Sequence, residues 1–322
     1  MTVVAGIDEA GYGPRLGPLV SSAASYRLDV ESGGADELWD LLEGVVGRPG
    51  RGLGERLAVG DSKKLYSGAT GLDALEGSLL AFLAASGCAA ATPEELAGEL
   101  LSDRCRDSLT AHPWYRARGE GLPLSGSQDR TAAMAARLCE CCARKGVLIR
   151  PFRSRLLAEG EFNRRVELLD NKATVLIGLV IELLRELRTG AGSDALSVFV
   201  DRLGGRTDYS GVLSGAFPGA FVWEQERSAQ CQAYVIEGLA GPTRVEFRTR
   251  ADSSCFPVAL ASMTSKYLRE IFMRRFNAYW VDLDPQIPTT SGYYADAGSF
   301  LEAASALRRR MGIEDGDLVR SR

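Results

Sequence analysis

Strands and helices interleaved along one chain predict an α/β or α+β domain built around a sheet, and three stretches of the 322 residues carry that reading. Thr2 to Asp8 is a short β-branched, apolar run that ends in an acid and breaks at Gly11, Gly13 and Pro14, as a strand stopping in a turn would. Leu196 to Asp201 repeats the theme, an apolar run closing on Asp with Gly204 and Gly205 behind it. Glu161 to Leu187 carries Leu168, Leu169, Val175, Leu176, Leu179, Leu183 and Leu184 on a broad apolar face and predicts one long helix.

The other elements follow in order. Leu19 to Leu28 alternates enough to return as the second strand of a hairpin, Asp36 to Val46 reads as helix, and Gly47 to Gly60 reads as loop by its Gly and Pro content. Leu72 to Ala85 is a second apolar helix, Thr131 to Lys145 an amphipathic one, and Val147 to Phe152 a strand. Phe221 to Glu226 and Arg244 to Thr249 are short strands, and Phe256 to Asn277 is a helix that follows Asp252.

Composition narrows the functional classes. At roughly 150 residues per domain the length suits one large or two ordinary domains. With 45% hydrophobic and 25% charged residues, wholesale disorder is excluded. No apolar run approaches the roughly 18 residues of a membrane span. Met1-Thr2-Val3-Val4 has no basic region before Asp8, so no signal peptide is expected and the protein should be soluble and cytoplasmic. The 7 cysteines are odd in number and form no disulfide framework. The cluster Cys139, Cys141 and Cys142 reads as reduced thiols, because a zinc site would need a second, separated pair.

The balance of 38 basic against 42 acidic side chains, a net charge of −4, argues against attachment to nucleic acid by bulk charge. Arg244, Arg248, Arg250, Lys266, Arg269, Arg274 and Arg275 nevertheless crowd one span, opposed only by Glu246, Asp252 and Glu270. Either a local basic groove or a solvated face laced with salt bridges fits that pattern.

The chemistry concentrates where strands end. Asp8 and Glu9 leave one strand, Asp201 leaves another, and Asp252 opens a helix; polar groups just past strand ends converge on one crevice in open sheets. Each acid alone could be an N-cap or loop residue. Four together would repel one another unless a cation held them ionised, and all-oxygen ligands suit Mg²⁺ or Mn²⁺ better than zinc. Gly11-Tyr12-Gly13-Pro14-Arg15-Leu16-Gly17 is neither a dinucleotide fingerprint nor a P-loop; its glycines offer bare amides in a tight turn.

These residues resemble the type 2 ribonucleases H (ribonuclease HII). Gly6-Ile7-Asp8-Glu9-Ala10-Gly11-Tyr12-Gly13-Pro14, with Gly17-Pro18-Leu19-Val20, is similar to that family's opening motif, and Asp61-Ser62-Lys63-Lys64-Leu65 to its second signature. Asn171 with Ala173-Thr174, Val200-Asp201, Arg250-Ala251-Asp252 with Ala259-Leu260-Ala261-Ser262 and Lys266, and Ser291-Gly292-Tyr293 resemble later ones. The likeness runs from residue 6 to about 308. It departs at Tyr12, where the family usually has Arg, and at Arg250-Ala251, usually Lys-Gly. A His after the Gly-Tyr pair is missing, and Met311 to Arg322 lacks the usual His-Arg segment.

The resemblance implies a ribonuclease H-like mixed sheet flanked by helices, with a helical insertion and a C-terminal helical segment. Residues 1–310 would form the catalytic domain, with the insertion at about 89–144, and 311–322 a C-terminal tail. It implies an endoribonuclease that cuts the RNA strand of RNA–DNA hybrids, or single ribonucleotides in duplex DNA, leaving 3′-OH and 5′-phosphate. Asp8, Glu9, Asp201 and Asp252 would bind two Mg²⁺ or Mn²⁺ ions, with Asp8 bridging them. Gly11, Tyr12 and Gly13 would sense the 2′-OH, Tyr293 would pack on the neighbouring deoxyribose, and Lys63, Lys64 and Arg250 would contact phosphates. No membrane and no obligate protein partner is expected. A catalytically weak or inactive nucleic-acid-binding relative and a phosphoesterase with another substrate are the alternative readings.

Overall fold

The computed structural model describes residues 1–29, 35–50, 52–66 and 71–321. Its strands are β1 (Thr2–Ala10), β2 (Leu19–Leu28), the two-residue β3 (Val46–Gly47) and β4 (Leu57–Ala58), β5 (Val147–Ile149), β6 (Arg153–Leu157), β7 (Ala195–Asp201), β8 (Phe221–Arg227), β9 (Cys231–Glu237) and β10 (Thr243–Arg248). The main sheet has 8 strands in the order β5-β2-β1-β7-β10-β9-β8, with β6 also pairing with β2. It is mixed. β7 lies parallel to β1 and to β10 at the centre, and the remaining pairings are antiparallel.

Helices cover both faces. α1 (Leu38–Leu41), α2 (Ser62–Leu65), α3 (Gly71–Ala85), α4 (Pro93–Leu100), α5 (Asp103–Thr110) and α6 (Gln128–Arg144) lie between the first hairpin and β5. α7 (Glu159–Leu169) and α8 (Lys172–Ala191) precede β7, and α9 (Ser210–Ala216) follows it. α10 (Ala251–Ser254), the 28-residue α11 (Phe256–Leu283), α12 (Tyr294–Ala303), α13 (Ser305–Met311) and α14 (Asp315–Leu318) complete the chain. Among the described residues no helix is long and apolar enough to cross a membrane.

The period-2 alternation of β1 decides which residues meet which layer. Val3, Ala5 and Ile7 pack with Val175, Leu176, Leu179 and Val180 of α8. Val4 joins the larger core formed with α3, α6 and α11. Asp8 shares the parity of Val4 and so faces α11. On β7, Leu196, Val198 and Val200 belong to the α8 side, Phe199 to the α11 side, and Asp201 follows Phe199. The last register pair between β1 and β7 is Ile7 with Val200. Asp8 and Asp201 are therefore the next residues on neighbouring parallel strands, on one face.

Several local expectations need correction. The helix expected over 161–187 is two, because Asp170 adopts a left-handed conformation (φ 47°) and Asn171 caps α8 through Oδ1, which accepts from the amides of Ala173 and Thr174. Leu168 and Leu169 consequently sit at an exposed corner instead of on the buried face. The helix expected over 36–46 stops at Leu41, since Val46 pairs as strand with Leu57 across the stretch expected to be loop. β6 and β9 had no counterpart in the sequence reading.

A pocket of four carboxylates beneath the glycine turn

The end of β1, the end of β7 and the start of α10 open onto one cavity of about 200 Å³. Its lining includes Asp8, Glu9, Asp201 and Asp252 together with Gly11, Tyr12, Gly13, Lys63 and Tyr293. These are nine of the eleven site residues expected from the sequence; the other two, Lys64 and Arg250, are both exposed and lie outside the lining.

Each element has a local reason for its place. Past β1, Gly11 turns the chain with φ 87°, and a Cβ there would stand 2.5 Å from the Pro18 carbonyl oxygen, so only glycine fits. Asp201 is fixed by accepting a hydrogen bond from the Ala251 amide at 2.8 Å, which draws α10 and Asp252 toward the end of β7. Lys63 sits in the short helix α2, whose N-cap Asp61 accepts from the Lys63 amide at 2.9 Å. Ser62 and Ser262 share a hydrogen bond of 3.0 Å that ties α2 to α11. On α11, Ser262, Lys266 and Arg269 recur at helical spacing and line the same cavity, while Ser265 Oγ donates to the Asp8 carbonyl at 3.0 Å.

The electrostatics are those of crowded anions. Burial, then the charges of Glu9 and Asp201, hold the Asp8 carboxyl well above its ordinary range, against a hydrogen bond from Ser262. Glu9 is pushed up to about 7 by burial and by Asp201. Asp201 is raised by burial and Asp252, and Asp252 by burial and Asp61. Lys63 opposes the shift at Glu9, Asp201 and Asp252 and is their shared counter-charge.

Four oxygen-donor groups short of positive charge fit a hard divalent cation. Among the described residues, however, no three His, Cys, Asp or Glu side chains are placed to hold a metal ion as they stand. That holds also for the cysteine cluster, where all thiols are free, Cys141 and Cys142 buried and Cys139 exposed.

Sequence reasoning missed two residues of this region. Arg269, 2% exposed, donates through Nη2 to the carbonyls of Leu16 (3.2 Å) and Ser291 (3.0 Å), bracing the glycine turn against the loop that presents Tyr293. Lys172 stands over the Tyr12 ring. For Arg269 the signal was its spacing from Ser262 and Lys266; for Lys172 there was none. The basic span divides: Lys266 and Arg269 line the cavity, while three of its arginines are structural. Arg244 and Arg248 both pair with Glu246 at 2.8 Å, and Arg275 is buried against Glu94 and Glu120.

No protein-family model matches the chain, and no curated protein matches it either. Its arrangement is similar to several solved structures. The ribonuclease HII of Archaeoglobus fulgidus, in its complex with PCNA, is 16% identical, with a TM-score of 0.45 over 99% of this chain and 94% of that one. Ribonuclease H2 from Pyrococcus horikoshii OT3 is 13% identical, with a TM-score of 0.44 over 98% and 92%. Bst-RNase HIII in complex with Mn²⁺ is 14% identical, with a TM-score of 0.42 over 99% of this chain and 66% of that one. At such scores the reading of the site rests on its own geometry.

Proposed function

We propose that this chain is a metal-dependent endoribonuclease of the ribonuclease HII type, acting in the cytoplasm on RNA–DNA hybrids or on single ribonucleotides in duplex DNA. The supporting observation is that Asp8, Glu9, Asp201 and Asp252, brought from three distant parts of the sequence, line one cavity together with the Gly11–Tyr12–Gly13 turn.

In this reading the four carboxylates hold two divalent ions, Mg²⁺ or Mn²⁺, which when bound supply an activated water and charge stabilisation for the leaving 3′ oxygen. Asp8, flanked by Glu9 and Asp201, would be central among the residues that hold them. Lys63 lines the cavity beside the acids and takes a phosphate oxygen of the substrate strand. Lys64 and Arg250, exposed at its margin, reach phosphates farther along. The amides of the glycine turn meet the 2′-OH, the group that separates RNA from DNA, and Tyr293, 46% exposed, offers its ring to the adjoining sugar. A nucleophilic side chain is not required; the one His, His112, is buried away from this cavity with Nδ1 2.8 Å from the Ser108 carbonyl.

Cleavage of a duplex carrying one ribonucleotide, in Mg²⁺ or Mn²⁺, tests the proposal. Wild type should cut at the ribonucleotide and leave 3′-OH and 5′-phosphate ends, and Asp8→Asn should be slower by about 10³ or more, a loss of roughly 4 kcal/mol of transition-state stabilisation. Equal rates would overturn the catalytic assignment. The second reading, a binding protein with weak or no turnover, is favoured by Tyr12, which stands in the glycine turn where the likeness expects Arg. Metal-dependent binding of hybrid without product would select it.

A further inference from the structure

Residues 318–321 reach back toward the glycine turn. Leu318 is fully buried and Arg320 is 3% exposed. Asn163 of α7 holds the segment: its Nδ2 donates to the carbonyls of Gly316 (2.7 Å) and Val319 (2.8 Å), and its Oδ1 accepts from the Ser321 amide (2.7 Å) and hydroxyl (2.8 Å). Arg320 then takes three carbonyls of the turn. Its amide donates to the Arg15 carbonyl at 2.8 Å, and its Nη2 donates to the carbonyls of Tyr12 (3.0 Å) and Pro14 (2.6 Å). The guanidinium lies 4.6 Å from the centre of the Phe162 ring.

We infer that Arg320 is a positioning residue that aims the backbone amides of the Gly11–Tyr12–Gly13 turn at the substrate. A trans peptide is planar, with its carbonyl and N–H pointing in opposite directions. Holding the Tyr12 carbonyl therefore fixes the Gly13 N–H on the side away from Arg320, and Gly13 lines the carboxylate cavity. The Pro14–Arg15 peptide is held at both ends, its carbonyl by Arg320 and its N–H by the Gly292 carbonyl at 2.8 Å. Gly292 immediately precedes Tyr293, so one guanidinium sets the turn in register with both elements assigned to ribonucleotide selection. Burying an arginine to satisfy main-chain carbonyls is costly unless the geometry it fixes is needed.

This inference rests on the nuclease reading, and the test separates the two. Arg320→Met, Arg320→Lys and Asn163→Ala would be compared with wild type on duplexes carrying one ribonucleotide. Arg320→Met should raise KM about tenfold while kcat falls less than about threefold, because it loosens the turn without touching the acids. Asn163→Ala should move KM in the same direction, and Arg320→Lys should recover part of the loss. Mn²⁺ binding by calorimetry should be unchanged in all three. Amide exchange of residues 11–13, 15 and 16 in Arg320→Met should speed up about tenfold relative to β1, as a turn opened locally would.

Unchanged KM together with unchanged exchange overturns the inference. So does a parallel loss of Mn²⁺ affinity, kcat and thermal midpoint, which would make Arg320 a general structural residue. A wild-type chain that cuts nothing defeats the nuclease reading alone, and the exchange measurement still decides whether Arg320 holds the turn.

Discussion

The ammonium of Lys172 lies 4.5 Å from the centre of the Tyr12 ring, on the rim of the carboxylate cavity. Where ribonuclease HII usually places an arginine between the two glycines, this chain puts an aromatic ring and sets a cation on its face from the first turn of α8. Burial, and then the nearby Arg320, hold Lys172 below its ordinary pKa. Lys172→Met should weaken hybrid binding and lower the slope of log K against log salt by about 0.9, the share of one phosphate contact. Tyr12→Phe should leave that slope intact. Fluorescence anisotropy across a salt series reads both, and an unchanged slope in Lys172→Met would exclude the phosphate contact.

The crowding of the acids predicts a pH-dependent stability with a definite sign. Glu9 titrates near 4.5 in the unfolded chain and near 7 in the metal-free fold, so folding favours its protonated form. Its contribution is fully present below about 4.5 and is lost as pH rises through about 7. In chelator, the thermal midpoint should fall across that window, and Glu9→Gln should be the more stable protein at pH 8, by on the order of 1 to 3 kcal/mol. Mn²⁺ should raise the wild-type midpoint more at pH 8 than at pH 5. A midpoint flat from pH 4.5 to 7 in chelator would contradict the crowding of these carboxylates.

What the sequence made legible is what local chemistry determines. The β-branched run ending at Asp8 and its echo ending at Asp201 announced both strands, and their acids do line one pocket. The break at Asp170 was hidden because apolar residues continue across it, although Leu168 and Leu169 point to solvent. The fate of the arginines was hidden for a different reason. Arg269, Arg275 and Arg320 look like surface cations in sequence, and only partners more than a hundred positions away (Leu16, Glu120, Tyr12) make them buried braces. Acceptors so far away in the sequence leave no local trace.

Glu76 offers a test of how the segment between 89 and 144 is fastened. Fully buried on α3, its carboxylate accepts from the amides of Leu124 (2.6 Å), Ser125 (2.8 Å) and Gly126 (3.2 Å), from the Ser125 hydroxyl (2.9 Å), and from the Tyr267 hydroxyl of α11. Burial and this carboxylate together drive the Tyr267 phenol far above its usual pKa. Glu76→Ala would strand several donors at once and should cost about 2 to 4 kcal/mol. Urea unfolding measures the loss, and proteolysis near Ser125 should accelerate. An unfolding free energy within about 0.5 kcal/mol of wild type would mean that these bonds are replaced by water at no net cost.

Gly6 sets the distance between the sheet and α11, and through it the position of Asp8 two residues on. A Cβ at Gly6 would stand 2.1 Å from the Val258 nitrogen and 2.2 Å from the Pro257 carbonyl carbon, both main-chain atoms that cannot rotate aside. Either β1 or the first turn of α11 must move back, and the same helix carries Ser262 and Ser265, which hydrogen-bond the carboxylate and the carbonyl of Asp8. Gly6→Ala should therefore lower stability by about 3 kcal/mol or more, as over-packing of a close backbone contact does, and reduce Mn²⁺ affinity in the fraction that folds. Gly44→Ala, where an added Cβ meets nothing within 4 Å, is the matched control and should do neither. Calorimetric unfolding and Mn²⁺ titration of the two variants side by side decide the point: equal behaviour would mean that the β1–α11 contact does not govern the site.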